Sequence, residues 1–338
     1  MATFKVYKLH FTAPLHISNQ HEDENTSLKT IHSDTLYAAL ISCLAKAGHS
    51  IPQDGDLGFT VSSLFPYFQK DKDSAPVYFL PIPLHYKQAE IADSTMLKKV
   101  KRVQWVDSAL YSTVLAGNPL FEGTDNYSRI QDSYLTDKQL PEDVNGSREF
   151  VRSEVSQRVT LQSRTGEEDA KPYYTDKILF RHHAGLYFIA EGETTLLETA
   201  LAILSSEGIG TDRNVGFGFF DFTTDSITID LPVQANHQLA LSLLIPASKE
   251  QLEMLMSSER VAYDFVRRGG WITTYPYMTL RKNAVYGFLP GSVFHKDTDT
   301  ACSAIGKIVN LKPEVDGVEI DHPVWRNGKS IMLPINLQ

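Results

Sequence analysis

The stretch with the most chemical potential is GIGTDRNVGFGFF, residues 208–220, where Gly208, Gly210, Gly216 and Gly218 surround Thr211, Asp212 and Arg213. Glycine tolerates positive φ and close backbone approach, so such a loop can offer consecutive N–H groups to an anion. Arg213 adds a planar fork for phosphate and Phe217 a flat face for a base. The spacing is neither G-x-G-x-x-G between strand and helix nor a Walker loop ending in Gly-Lys-Ser/Thr. A tight helix-to-strand connection with Gly208 as its C-cap is the competing reading.

Other candidates are scattered. Lys98, Lys99, Lys101 and Arg102 stand close to Trp105, a basic and aromatic cluster that suits either a solvated face or a surface tracking a nucleic-acid backbone. Arg158 and Arg164 are six residues apart, so in a strand they share a face. Arg281 and Lys282 precede the aromatic NAVYGF, whereas Arg267 and Arg268 read as flanking a solvated turn. His32, Ser33 and Asp34 open a helix, either as a cap or as an N-terminus offered to a phosphate that Asp34 partly opposes. For hydrolysis the candidates are Asp23, Asp34 and the pair His182–His183, but HHAG reads best as a hairpin turn. No H-E-x-x-H and no cysteine cluster supports a metal site, and no cofactor is expected.

The elements that must position these residues follow from periodicity. Phe4, Val6, Leu9 and Phe11 alternate with lysines as an opening strand, and IHSDTLYAALISCLAKAG carries a helical stripe of Leu36, Leu40, Ile41 and Leu44, with Ser33 the expected N-cap. Pattern is lost between Pro66 and Arg148, too long for a simple connection, so residues 66–148 read as an insertion. The segments starting at Val151, Tyr173 and Leu186 read as antiparallel strands, and TTLLETALAILSSEG as a second helix that runs into the glycine loop and a further strand. The order is βαββαβ, ferredoxin-like, with its second strand delayed by the insertion. After Pro232 the pattern restarts: LALSLLI, a short helix, RVAYDFV turned back by Gly269-Gly270 into WITTY, and a last strand in KSIMLPINL. The expectation is α+β, tandem ferredoxin-like (RRM-like) domains over 1–232 and 233–338, the second degenerate.

Composition bounds the rest. In 338 residues, 42% hydrophobic and 22% charged, the formal charge of −9 argues against a generally basic coat but leaves room for a local basic groove. Cys43 and Cys302 form no framework, no apolar run reaches spanning length, and MATFKVYKLHF lacks a signal-peptide core, so a soluble cytoplasmic protein with no membrane partner is expected.

Taken in order, FTAPLHIS, IHSDTLYAAL, RVTLQSRTG, YYTDKILF, GLYFIAEG, GIGTDRNVGFGFF and TLRKNAVYGFLPGSVF resemble the repeat-associated RNA-binding (RAMP) superfamily of CRISPR systems. In detail they resemble the fourth subunit of type III-A Csm effector complexes, which caps the 5′ end of the guide RNA. The resemblance covers nearly the whole chain except the insertion, which matches the family's thumb in position but not in sequence. It implies a ribonucleoprotein of antiviral defence and a non-catalytic RNA-binding subunit. Such a subunit grips the repeat-derived 5′ handle of crRNA, meets target RNA near the handle-proximal end of the duplex, and docks the large polymerase/cyclase subunit and the backbone RAMP subunit. By carry-over, Gly208, Gly210, Thr211, Arg213, Gly216, Phe217 and Gly218 line the handle path, with His16, His32 and Ser33 beside it. The alternative is a RAMP-type endoribonuclease acting on crRNA precursor or target RNA. In the guide-processing nucleases of the superfamily, though, the glycine loop lies close to the C-terminus.

Overall fold

Strand β1 (Ala2–Phe11) sends Tyr7 and Leu9 into one buried cluster and Val6 into a second on the opposite face, as a period of two requires. The computed structural model describes residues 1–18, 27–88, 94–121, 128–142, 150–160, 171–296 and 304–337. Helix α1 (Ser33–Lys46) is followed by β2 (Phe59–Val61) and β3 (Phe65–Phe68). Then come β4 (Val77–Pro81), α2 (Ser94–Arg102), β5 (Trp105–Asp107), α3 (Tyr111–Leu115), β6 (Ile130–Gln131) and β7 (Tyr134–Leu135). Strands β8 (Val151–Thr160) and β9 (Lys171–Phe180) pair with each other and, among the described residues, with no other named strand. The chain returns through β10 (Ala184–Gly192), α4 (Thr195–Glu207) and β11 (Phe220–Ile229).

The central order is β11-β1-β10, with β2 and β3 both on the far side of β10, and all these pairs are antiparallel. This is the βαββαβ unit. Its second strand, however, precedes the inserted elements instead of following them. That strand is broken at Ser62 and Ser63 into pieces of three and four residues, too short for a periodicity count to resolve. Ser62 mends the break, its N–H donating to Ile189 O and its Oγ accepting from Ile189 N. The inserted β4, β5, β7 and β6 prolong the same sheet.

Because β10 is covered on both faces, its run AGLYFIA is almost continuously apolar. Leu186 and Phe188 pack under α1 and α4 with Leu36, Leu40, Leu201 and Leu204. Tyr187 and Ile189 pack on the other side against Tyr111 and Val114 of α3 and against the C-terminal strands.

The C-terminal part holds β12 (His237–Ala240), α5 (Lys249–Leu255), β13 (Phe265–Arg268), β14 (Val285–Phe288), β15 (Val293–His295), β16 (Ile308–Asn310), β17 (Trp325–Asn327) and β18 (Met332–Ile335). The order β15-β12-β18, extended by the single bridge Ala262–Val293, repeats the strand order of the first unit in reduced form. WITTY is not the return strand. β13 pairs with β14, and Trp271 makes only one bridge, to Arg281, because the chain leaves the ribbon after Gly270 and comes back at Val285. Arg268 is no solvated turn residue: it forms a fork with Asp34 at 2.8 and 2.9 Å, and Arg326 reaches the same carboxylate at 2.7 Å. Ser242 Oγ donating to Val61 O and Ser33 Oγ accepting from Leu243 N stitch the two parts further. No helix among the described residues is long and apolar enough to cross a membrane.

Candidate functional site

Helix α4 ends at Gly208, whose N–H donates to Leu204 O, and the chain then folds back on the segment that leaves β1. Thr211 N donates to His16 O at 2.9 Å, Gly218 N to Pro14 O at 2.8 Å, and Ile209 N to Gly218 O at 3.0 Å. A Cβ on Gly218 would lie 1.9 Å from Ile209 O, and one on Gly210 would lie 2.4 Å from His16 O. These glycines are therefore required by backbone approach within the protein. Gly208 likewise faces Phe217 O, whereas Gly216 opens to solvent.

The loop's donors are mostly engaged internally. The N–H groups of Gly208, Ile209, Thr211, Val215, Gly216, Phe217 and Gly218 all bond to main-chain oxygens, so the expected row of N–H groups for an anion is not presented by the glycines. What the loop presents is side chains around the turn Arg213–Val215. Thr211, Asn214 and Val215 are exposed, and the Arg213 side chain makes no hydrogen bond or ion pair among the described residues.

The β8–β9 ribbon completes this surface. Arg158 donates to Asp212 Oδ2 at 3.2 Å, and its guanidinium lies 4.8 Å from the Phe217 ring centroid, within cation–π range. Arg158 is opposite Tyr173, which shares its face and is exposed. Asp212 and Tyr173 were not among the sequence candidates. The signal for Tyr173 is the register of the ribbon, which the sequence does not give; Asp212 sits in the loop itself, but its partner is 54 residues away.

Several predicted residues are supports. His16 is buried and its Nδ1 donates to Asp176 O at 2.7 Å, while the Asp176 carboxylate accepts from Ser27 N and Ser153 Oγ. His32, not Ser33, is the N-cap of α1, and burial, with Arg268 alongside, pushes its imidazole down to about 4. Ser33 is buried between Ser63 and Leu243. The α1 N-terminus is thus filled by Asp34 and its arginines. Burial would raise the Asp34 carboxyl, but Arg268 and Arg326 override it and hold it well below the usual carboxylate range.

The remaining candidates separate into two places. On α2, Lys98, Lys99, Lys101 and Arg102 are exposed, and Lys99, Lys101, Arg102 and Trp105 line a cleft of about 830 Å³ that also touches residues 27–30. The cleft thus begins at Ser27, beside the support of the glycine loop. Far along the chain, Arg281 lies over Trp271 at 4.7 Å, while Lys282 is half-buried and pushed down to about 8 by burial and then by Arg326. His182 and His183 form the turn between β9 and β10. Arg164 and Asp23 lie outside the described residues. No group of three or more metal-ligating side chains occurs among the described residues.

A ferredoxin-like unit whose second helix runs into a glycine loop clasped against the end of its first strand, followed by a reduced copy of that unit, is a fold this chain shares with solved structures that contain Csm4. Residues 233–335 match the model of the CRISPR Csm4 C-terminal domain. The chain is 28% identical over 275 residues to the CRISPR system Cms protein Csm4 of Mycobacterium tuberculosis, covering 78% of this chain and 80% of the relative. It is 24% identical over 345 residues to that of Streptococcus thermophilus, covering 99% and 100%. Its fold superposes on a Csm1–Csm4 cassette in complex with pppApA with a TM-score of 0.56, at 18% identity, over 100% of this chain and 99% of the other. A Csm3–Csm4 subcomplex of the type III-A interference complex matches at 0.55 and 16% identity, over 98% and 99%. Along most of its length, then, the chain is similar to Csm4 proteins of type III CRISPR systems.

Proposed function

We propose that this chain is a non-catalytic RNA-holding subunit that grips the repeat-derived 5′ handle of crRNA and joins a large polymerase/cyclase subunit to the backbone RAMP subunit. The observation that carries the reading is Arg158 of the β8–β9 ribbon lying over Phe217, on a loop that is fixed by its own backbone packing and also carries Arg213. A cation stacked on an aromatic, with a further arginine on the same loop, suits a phosphate next to a splayed base. The cleft at Lys99, Lys101 and Arg102 extends basic surface from the loop's support and suits RNA beyond the handle, including target RNA at the handle-proximal end of the duplex. Solved relatives described as Csm1–Csm4 and Csm3–Csm4 assemblies support the two protein partners. Of the carboxylates considered for an endoribonuclease, Asp34 is buried in an arginine fork, which speaks against its use in hydrolysis.

The test is retention of labelled crRNA by the assembled, cytoplasmically expressed complex. Arg213→Glu and Arg158→Glu are each expected to weaken retention by about tenfold or more and to flatten the salt dependence, with circular dichroism unchanged. Unchanged affinity in both variants would show that the handle lies elsewhere.

A further inference from the structure

The β13–β14 ribbon has two unlike faces. Its register pairs Phe265 with Phe288, Val266 with Gly287, Arg267 with Tyr286 and Arg268 with Val285. The inner face carries Arg268, which reaches Asp34, and Gly287, where a Cβ would lie 2.5 Å from Leu243 Cδ2. By alternation Phe265, Arg267 and Tyr286 point outward.

That outer face is aromatic and open. Phe265 is 55% and Tyr286 60% exposed, with their rings 5.8 Å apart at 73°. The excursion between the strands adds Trp271, 51% exposed under the Arg281 guanidinium, and Tyr275, 85% exposed. So many exposed rings in one stretch mark an interaction surface.

Charge indicates what it meets. In a chain of net charge −9, residues 263–286 carry Arg267, Arg268, Arg281 and Lys282 against Asp264 alone, and of these Arg268 is neutralised by Asp34. Aromatic faces interleaved with cations fit flat bases on a polyanionic backbone.

We propose that the outer face of β13–β14, with the Trp271–Arg281 pair, is a second RNA contact that stacks unpaired bases. It rests on the RNA-holding reading and extends it to a separate place. The first turn of α1 holds Arg268 through Asp34, and its last turn pairs Lys46 with Glu207 beside the glycine loop. A 14-residue helix separates the two by about 20 Å.

The experiment titrates the full-length chain, free and in its assembled complex, with an unstructured oligoribonucleotide carrying 2-aminopurine, whose fluorescence falls on stacking. The double variant Phe265→Ala/Tyr286→Ala is expected to weaken binding by about 5- to 100-fold, to lose the quenching, and to keep the salt slope. Tyr286→Phe should bind like the parent and Tyr286→Leu should not. If the double variant keeps affinity and quenching while Arg213→Glu loses affinity, this surface is wrong and the loop reading stands. If it keeps RNA but sheds a protein subunit on size exclusion, the face is a protein interface and the proposal fails. If neither free nor assembled parent binds the oligonucleotide, both readings fall.

Discussion

Asp34 illustrates what a single residue can hide. Its position in the first turn of a helix suggests a local electrostatic role, and its carboxylate equally suggests hydrolytic chemistry. Its partners Arg268 and Arg326 lie 234 and 292 residues away, so no local pattern can announce them. Removing the carboxylate leaves two guanidinium groups facing each other in a largely buried site. Asp34→Ala is therefore expected to destabilise the chain by about 3–5 kcal/mol, read as a fall in urea midpoint with little change in slope. A fall under about 1 kcal/mol would mean that solvent screens the triad. Residue types at the loop were more legible: Arg158, Arg213 and Phe217 are recognisable as RNA-suited groups, and what the sequence lacks is that Arg158 and Phe217 touch.

At the scale of elements, legibility followed length. The ten residues of β1 and the helices α1 and α4 are evident from periodicity because each spans several repeats of its pattern. The broken second strand and the return of β13 into β14 are not, since short strands owe their place to partners distant in sequence. The β8–β9 ribbon shows the consequence for the site. It pairs with no other named strand, and its base is fixed by the Leu15–Ile178 bridge and by the Asp176 carboxylate, which accepts from Ser27 N and Ser153 Oγ. Asp176→Ala leaves Ser27 N without its acceptor and frees the ribbon's base, at a loss of about 1–3 kcal/mol. Hydrogen exchange should accelerate at residues 15–18 and along β8 and β9 while α1 and α4 stay protected. Because the ribbon carries Arg158, crRNA retention should weaken in parallel; unchanged exchange in the ribbon would show that strand pairing alone holds it.

At the scale of the whole molecule, three histidines pushed down to about 4 are spread over the parts that must stay together. His32 caps α1 against Arg268 of the C-terminal part, and burial first and that arginine second push it to about 4. His85, in the inserted region, is pushed to about 4 by burial and then by His237. His237, on β12, is held at about 4 by burial and then by His295 and Arg260, with its ring nitrogens bonded to Asn236 and Ser258. Each is neutral when folded and protonates near 6.5 when unfolded, so the unfolded chain binds more protons as acid is added. The stability that depends on their neutrality is complete above about pH 6.5 and drains away as pH falls toward 4. Asp34, whose carboxyl is held below the ordinary range, adds a loss only at still lower pH. Urea unfolding at pH 7.5, 6.0 and 5.0 should therefore show stability dropping by several kcal/mol, ahead of most carboxylate titration. His32 couples the first unit to the C-terminal part, and His85 with His237 couples the insertion to it. Far-UV signal and tryptophan fluorescence should consequently report one shared acid transition. A flat stability between pH 7.5 and 5.0 would show that these histidines gain solvent in the folded state, and two separated transitions would show that the parts are joined by apolar packing without the charged seams.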